Sequence, residues 1–184
     1  NLYEYTPSRK IGDIYEQLLY GDTPLGWDIA GPKDNIRTFM RKDFIKFLNY
    51  GYTAENVVVG VAGKIDPKIV KKEIEKHFSK IRTGKRPIAK KLVEKQKEPQ
   101  MFFKEKKTDQ TQIILGVPAY PYLHKDEYAL EVLTSILGGG MSSRLFTEVR
   151  EKRGLAYSVD AWTEKYPDAG IFVIQAGVEH AKIE

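Results

Sequence analysis

Apolar residues recur at three- and four-residue steps along much of the chain, which predicts amphipathic helices. The first stripe follows Thr6-Pro7-Ser8, which suits a helix start because proline costs no hydrogen bond in the first turn. A second start of this kind, Asp66-Pro67, precedes another stripe. One stripe is interrupted near Arg41, which predicts a break in that helix. The stripes that predict helices span residues 11–19, 36–48, 69–78, 125–137 and 145–149.

Shorter segments are either uniformly apolar or alternate between apolar and polar residues, which predicts strands. Residues 57–62 are rich in valine and end at Gly63, a pattern typical of a buried strand. Two alternating segments joined by Pro167-Asp168-Ala169 predict a β-hairpin. The predicted strands are residues 57–62, 101–106, 112–117, 156–166 and 170–178. Helices mixed with hairpin-linked strands favour an α+β fold with an antiparallel sheet.

A short internal repeat indicates that the fold is duplicated. Residues 62–69 and 176–183 are identical at four of eight positions, and each segment follows a predicted strand and leads toward a helix. Two copies of one α+β unit would produce such a repeat. We therefore expect residues 1–82 to be the rear part of a first, truncated unit, residues 83–99 to be a linker, and residues 100–184 to be the front part of a second unit.

Composition and charge indicate a folded protein and limit the classes of partner that it is expected to bind. Hydrophobic residues make up 41% of the 184 residues, which suffices for a core. No apolar run reaches the roughly 18 residues that a membrane helix needs. Residues 80–97 carry eight Lys or Arg residues but no aromatic residue, whereas a single-strand nucleic-acid groove uses aromatic side chains between its charges. We therefore predict that the chain binds neither a membrane nor a nucleic acid. The other interpretation of the charged linker, a basic module that binds nucleic acid, is kept as a further functional hypothesis.

The cysteine and histidine content limits metal and redox chemistry. The chain has no cysteine, which excludes disulfides and zinc ribbons and is compatible with a reducing compartment, so we predict a cytoplasmic location. His77, His124 and His180 lie far apart and lack the short spacing of a metal-binding pair. The sequence therefore predicts no metal ligand within this chain and a structural role for each histidine.

One segment combines reactive residue types with a corner between a helix and a strand. Residues 138–159 read GGGMSSRLFTEVREKRGLAYSV, and Gly154 separates the predicted helix from the predicted strand. Arg150 and Tyr157 flank this turn, and a fixed guanidinium beside a phenol suits a carbonyl or an oxyanion. From these residues alone, a surface salt bridge is the favoured role of Arg150, and binding to a carbonyl or an oxyanion is the alternative.

The triplet Gly138, Gly139 and Gly140 has two interpretations. It follows a predicted helix rather than a strand, so it does not match the dinucleotide-binding motif GxGxxG. The triplet either stops the helix with a flexible tip or forms a mobile segment beside a site.

The same segment, residues 138–159, resembles the C-terminal-half signature of the pitrilysin/insulinase family of zinc metallopeptidases, family M16. The resemblance is to its bacterial members that are similar to the mitochondrial processing peptidase. Residues 2–36, LYEYTPSRKIGDIYEQLLYGDTPLGWDIAGPKDNI, resemble the segment after the zinc site of that family. Residues 52–66, YTAENVVVGVAGKID, resemble the strand that closes its first domain. The chain thus resembles an internal fragment of a family member.

The resemblance implies a duplicated α+β fold of the LuxS/metallohydrolase-like M16 type, in which two similar halves enclose an extended peptide. It implies zinc in the first half of the full-length parent, held by an HxxEH motif that this chain lacks, and no zinc bound by the fragment. Arg150 and Tyr157 match family residues that bind substrate backbone and stabilise the oxyanion. Gly138, Gly139 and Gly140 match a loop that receives substrate in some relatives.

Two functional hypotheses follow from the resemblance. In the first, the chain is a fragment of a zinc-dependent metalloendopeptidase that cleaves peptides or small unfolded polypeptides, and the fragment alone is inactive. In the second, the parent is a non-catalytic M16-like scaffold subunit that supports a catalytic partner. The expected partners are a peptide substrate and a second M16 half or homologous subunit, for example in a homodimer.

Overall fold

The computed structural model describes residues 6–93 and 96–183 and combines helices with a three-stranded antiparallel sheet. This confirms the predicted α+β class. None of the helices in the described ranges is long and apolar enough to cross a bilayer. The helices are α1 (Pro7–Tyr20), α2 (Lys33–Thr38), α3 (Arg41–Gly51), α4 (Pro67–Phe78) and α5 (Glu127–Gly138), with a π-helical segment at Phe146–Lys152 and 3-10 turns at Ala54–Asn56 and His180–Lys182. The strands are β1 (Thr111–Pro118), β2 (Ala156–Lys165) and β3 (Gly170–Val178).

The chain divides into two compact units. One unit comprises the described residues of 1–29 and 91–184, and the other comprises residues 30–90. The division after residue 90 falls inside the predicted linker, residues 83–99, which has neither helix nor strand in its described part. The division after residue 29 was not predicted, because it depends on the long-range packing of α1. The assignment of residues 1–82 and 100–184 to two copies of one domain stays a prediction.

The sheet belongs to the unit of residues 1–29 and 91–184, and β3 is its central strand. β1 pairs with β3 from Thr111 opposite Val178 to Pro118 opposite Ile171. β2 pairs with the other side of β3 and forms the hairpin that the alternation predicts. Alternate residues of a strand point to opposite faces, so β3 contributes to the packing on both sides of the sheet.

Helices cover the two faces of this sheet. On one face, Tyr15 and Tyr20 of α1 pack with Ile171 and Val173 of β3. On the other face, Val159 belongs to a cluster against which the π-helical segment packs. Burying a side chain of this size contributes about 1.5–3 kcal/mol. The two clusters therefore hold α1 and the π-helical segment on the hairpin.

An ion-pair cluster fixes α5 to the end of β2. The ammonium of Lys165 lies 2.8 Å from a Glu127 carboxylate oxygen and also pairs with Glu131. The same Glu127 side chain accepts a hydrogen bond from the backbone N–H of Leu123, which has a φ of 64°. This carboxylate thus links the loop before α5, the helix itself and the sheet.

The unit of residues 30–90 contains α2, α3, α4 and one 3-10 turn. The predicted break near Arg41 is confirmed, because α2 and α3 are separate helices. Asp66 caps α4 by accepting a hydrogen bond from the backbone N–H of Lys68 at 2.8 Å. The backbone N–H of Ala54 donates to the carbonyl of Arg82 at 2.8 Å, which ties the segment after α4 to the 3-10 turn that follows α3.

Two predicted strands are wrong. Residues 57–62 and 101–106 form no ladder with any described residue, and Val58 is 97% exposed. An apolar sequence indicates that a segment would suit a buried strand. A strand also needs a neighbouring segment that supplies backbone hydrogen bonds. No described segment supplies that neighbour.

Candidate substrate-binding site at Arg150 and Tyr157

The π-helical segment Phe146–Lys152 carries Arg150. It begins after Ser143, whose buried hydroxyl accepts a hydrogen bond from the backbone N–H of Phe146 at 3.4 Å. Leu145, Phe146 and Val149 pack against the sheet, whereas Arg150 is exposed. π-Helical turns are rare and are found frequently at functional sites.

A tight turn joins this segment to β2. Gly154 has a φ of 58°, a conformation that favours glycine. Its N–H donates to the carbonyl of Arg150 at 3.1 Å, and the N–H of Leu155 donates to the carbonyl of Val149 at 3.0 Å. The Gly154 carbonyl in turn accepts a hydrogen bond from the ammonium of Lys182 at 3.0 Å. The turn between Arg150 and β2 is therefore held by two backbone hydrogen bonds of its own and by one hydrogen bond from Lys182.

A β-bulge sets the direction of Tyr157. Ala156 lies opposite Val178 and Ser158 lies opposite Gly177, so Tyr157 is the extra residue between them. A bulge bends its strand and redirects a side chain, and bulges are over-represented beside active sites. Tyr157 is 71% exposed on β2, an outer strand of the three-stranded sheet.

The guanidinium of Arg150 lies close to two aromatic rings. Its guanidinium carbon is 4.8 Å from the centroid of the Phe146 ring and 5.5 Å from that of the Tyr157 ring. Both distances fall within the range of cation–π attraction. The structure therefore brings together Arg150 and Tyr157, as their flanking of the Gly154 turn predicted.

Nearby carboxylates are engaged by lysines rather than by Arg150. Glu148 lies 2.6 Å from Lys152, which lowers the pKa of that carboxyl group, and Glu179 lies 3.0 Å from Lys182. Within residues 6–93 and 96–183, no carboxylate pairs with the guanidinium of Arg150. The salt-bridge alternative for Arg150 is thus not observed in this part of the chain. Its five N–H donors and the Tyr157 hydroxyl can bind a carbonyl or an anionic oxygen.

The glycine triplet is partly explained by packing. A Cβ atom on Gly138 would lie 2.3 Å from the backbone nitrogen of Ala161, so only glycine allows α5 to approach β2 here. A Cβ atom on Gly139 would lie 2.7 Å from the Cα of Ser135. Gly140 has open space at the same position. A role of the triplet in receiving substrate stays a prediction.

The histidines have structural partners. His77 pairs with Glu73 at 3.4 Å, and the ring of His124 stacks on Tyr120 with centroids 4.0 Å apart. His180 hydrogen bonds to the Thr111 hydroxyl at 2.7 Å. No group of three or more His, Cys, Asp or Glu side chains in the described ranges is arranged to hold a metal ion. The described residues therefore do not fit a zinc ion.

Sequence reasoning missed two residues of this site. Phe146 lies on the apolar stripe predicted at residues 145–149, and its four-residue spacing from Arg150 is the signal that could have indicated the contact. Lys182 lies far from Gly154 in the sequence, and no local pattern indicates that contact.

A family model described as the peptidase M16 inactive domain matches residues 38–184. The chain belongs to the M16 peptidase family. It is 37% identical over 180 residues to an uncharacterized zinc protease of Rickettsia bellii, with 93% of this chain and 42% of the relative covered. It is 33% identical over 176 residues to an uncharacterized zinc protease of Bacillus subtilis, with 96% of this chain and 42% of the relative covered. The chain thus spans less than half the length of these relatives.

Solved structures share the fold of this M16 chain. A crystal structure of a peptidase M16 inactive domain from Pseudomonas fluorescens has a TM-score of 0.80 at 23% identity and covers 96% of this chain and 44% of its own. A chain of complex III2 from Candida albicans has a TM-score of 0.84 at 19% identity and covers 97% of this chain and 44% of its own. The predicted resemblance to M16 is confirmed.

Proposed function

We propose that this chain is part of an M16 zinc-dependent metalloendopeptidase and supplies groups that bind the peptide and stabilise the reacting carbonyl. The observation that supports the proposal is the guanidinium of Arg150, which lies beside Tyr157 and has no carboxylate partner among the described residues. The names of the relatives support the zinc-protease class. The proposed substrates are peptides or small unfolded polypeptides, which can extend across an enclosed cavity.

The chemistry assigned to these two residues is hydrogen bonding to oxygen. Hydrolysis of a peptide bond passes through a tetrahedral intermediate in which the carbonyl oxygen becomes an anion. Arg150 provides a permanent positive charge and several N–H donors, and Tyr157 provides one O–H donor. Donors that are already positioned stabilise this oxygen without reorganising in the transition state. The loop of Gly138, Gly139 and Gly140 is proposed to receive the substrate.

The proposal requires a second, zinc-bearing M16 half. That half would hold the metal and activate water, either within one polypeptide or in a homologous subunit such as the second copy of a homodimer. Residues 1–82 would then belong to the zinc-bearing domain and residues 100–184 to the second domain, joined by the linker 83–99. We place the protein in the cytoplasm because its lack of cysteine suits a reducing compartment.

Substitution of Arg150 tests this function. In the full-length parent, Arg150→Met should lower kcat/KM for a fluorescence-quenched unstructured peptide by about 100-fold, the usual cost of losing one oxyanion donor. Arg144→Met, an exposed arginine in the same segment, is the matched control and should change kcat/KM by less than about 3-fold. Equal kcat/KM values for both variants and the unmodified protein would contradict the role of Arg150, and an unmodified parent that does not hydrolyse the peptide would favour the scaffold hypothesis.

A further inference from the structure

Phe146 is the residue in direct contact with Arg150 that the proposed chemistry leaves without a role. It is partly buried and packs against the cluster that contains Ala156, Val159 and Val178. The ring centroid lies 4.8 Å from the guanidinium carbon of Arg150, closer than the Tyr157 ring at 5.5 Å. The Phe146 ring is thus anchored to the sheet on one side and contacts the cation on the other.

An exposed arginine without a counter-ion ordinarily samples many rotamers, and ordering such a side chain on binding costs free energy. A carboxylate partner would order Arg150 but would also occupy its donors and cancel its charge. An aromatic face orders the cation without accepting its N–H hydrogen bonds in the guanidinium plane. The ring of Phe146 therefore restricts Arg150 and leaves its donors available.

We propose that Phe146 is a positioning residue that holds the guanidinium of Arg150 ready for the peptide carbonyl. This inference rests on the proposed function of Arg150. In this proposal, the effect of Phe146 on turnover passes through Arg150, the cation that its ring contacts. Tyr157 contributes the second ring, but its hydroxyl is already assigned to the substrate.

A double-mutant cycle in the full-length, zinc-loaded parent tests the proposal with the quenched peptide as probe. Phe146→Leu removes the ring and keeps an apolar side chain, and it should lower kcat/KM roughly 3- to 30-fold, the range of a cation–π contact. Phe146→Tyr keeps the ring and should stay within about 2-fold of the unmodified protein. In an Arg150→Met background, Phe146→Leu should change kcat/KM by less than about 2-fold, because the residue it acts on is gone.

Leu145→Ala separates positioning from packing. Leu145 packs against the same cluster as Phe146, but Arg150 lies over the ring of Phe146 and not over Leu145. This variant should lower the melting temperature at least as much as Phe146→Leu does, while kcat/KM of the folded fraction stays within about 2-fold. If Phe146→Leu does not fold, Phe146→Met replaces it in the cycle.

The outcomes distinguish the two proposals. An effect of Phe146→Leu that persists in the Arg150→Met background, or that Leu145→Ala reproduces, overturns the positioning role and leaves the function of Arg150 intact. A large effect of Arg150→Met with no effect of Phe146→Leu overturns it as well. If Arg150→Met itself has no effect, the proposed function fails, and the inference fails with it.

Discussion

The unit that contains the sheet and the unit of residues 30–90 differ in what they bury. The sheet buries side chains such as Ile171 and Val173 under α1. In the other unit, Phe44 and Phe47 of α3 remain exposed. Both units carry amphipathic helices, but residues 30–90, all of which the structure describes, contain no paired strands. An amphipathic stripe predicts a helix, while most of its stability comes from the surface that packs against it.

The same substitution in each unit should show this difference most strongly. Ile171→Ala removes a side chain that is 2% exposed and should lower the free energy of unfolding by roughly 2–5 kcal/mol. Ile69→Ala in α4 removes one that is 62% exposed and should cost less than about 1 kcal/mol. Urea unfolding, followed by far-ultraviolet circular dichroism for both variants, provides the measurement. Equal losses at the two positions would show that the unit of residues 30–90 is packed as tightly as the sheet.

Two glycines at the end of α5 also differ in how closely they are packed, so substituting them should have unequal effects on stability. Gly138→Ala forces a Cβ atom against the backbone of β2, and it should destabilise the protein by about 1–3 kcal/mol. Gly140→Ala adds a Cβ atom in open space and should change stability by less than about 0.5 kcal/mol. Melting temperatures of the two variants check this. A destabilising Gly140→Ala would mean that its surroundings are closed.

Acid should affect the sheet-containing unit through Glu127. The hydrogen bond from Lys165 lowers the pKa of Glu127 below its usual value of about 4.5, so the stabilisation from this carboxylate is fully present above that pH. That stabilisation disappears as the pH falls through the lower folded pKa. In the Glu127→Gln variant, the melting temperature should therefore fall less steeply with decreasing pH below about pH 4 than it does in the unmodified protein. This is the smallest of the three effects. The control is Glu55→Gln in the other unit, where Glu55 is exposed, and an equal flattening there would contradict the assignment.

Much of the sheet-containing unit could be predicted from local sequence. The hairpin ends within one residue of its predicted limits because the alternation and the Pro167-Asp168 turn encode it locally. The strands expected at residues 57–62 and 101–106 did not form, because a strand depends on a neighbour as well as on its own residues. The contact of α1 with β3 is a long-range contact that no periodicity reveals.

The residue types of the candidate site could be predicted from the sequence, but the bulge and the aromatic contact that position them were not predicted. The positions of Arg150 and Tyr157 on either side of Gly154 indicated that they could meet, and their residue types indicated binding to oxygen. The bulge at Tyr157 depends on the register with β3, which the pattern of one strand does not specify. The contact of Phe146 with Arg150 was not predicted, because the apolar stripe assigns Phe146 to the core, although its four-residue spacing from Arg150 was an available signal.

The most direct test of the central claim is the steady-state kinetics of Tyr157→Phe in the full-length parent. If the phenol acts on the transition state, kcat for the quenched peptide should fall by roughly 10- to 100-fold while KM stays within about 2-fold. Tyr128→Phe, an exposed tyrosine on α5, should leave both constants unchanged. An unchanged kcat, or a rise in KM that accounts for the whole loss, would contradict the claim that the corner of Arg150 and Tyr157 stabilises the reacting oxygen.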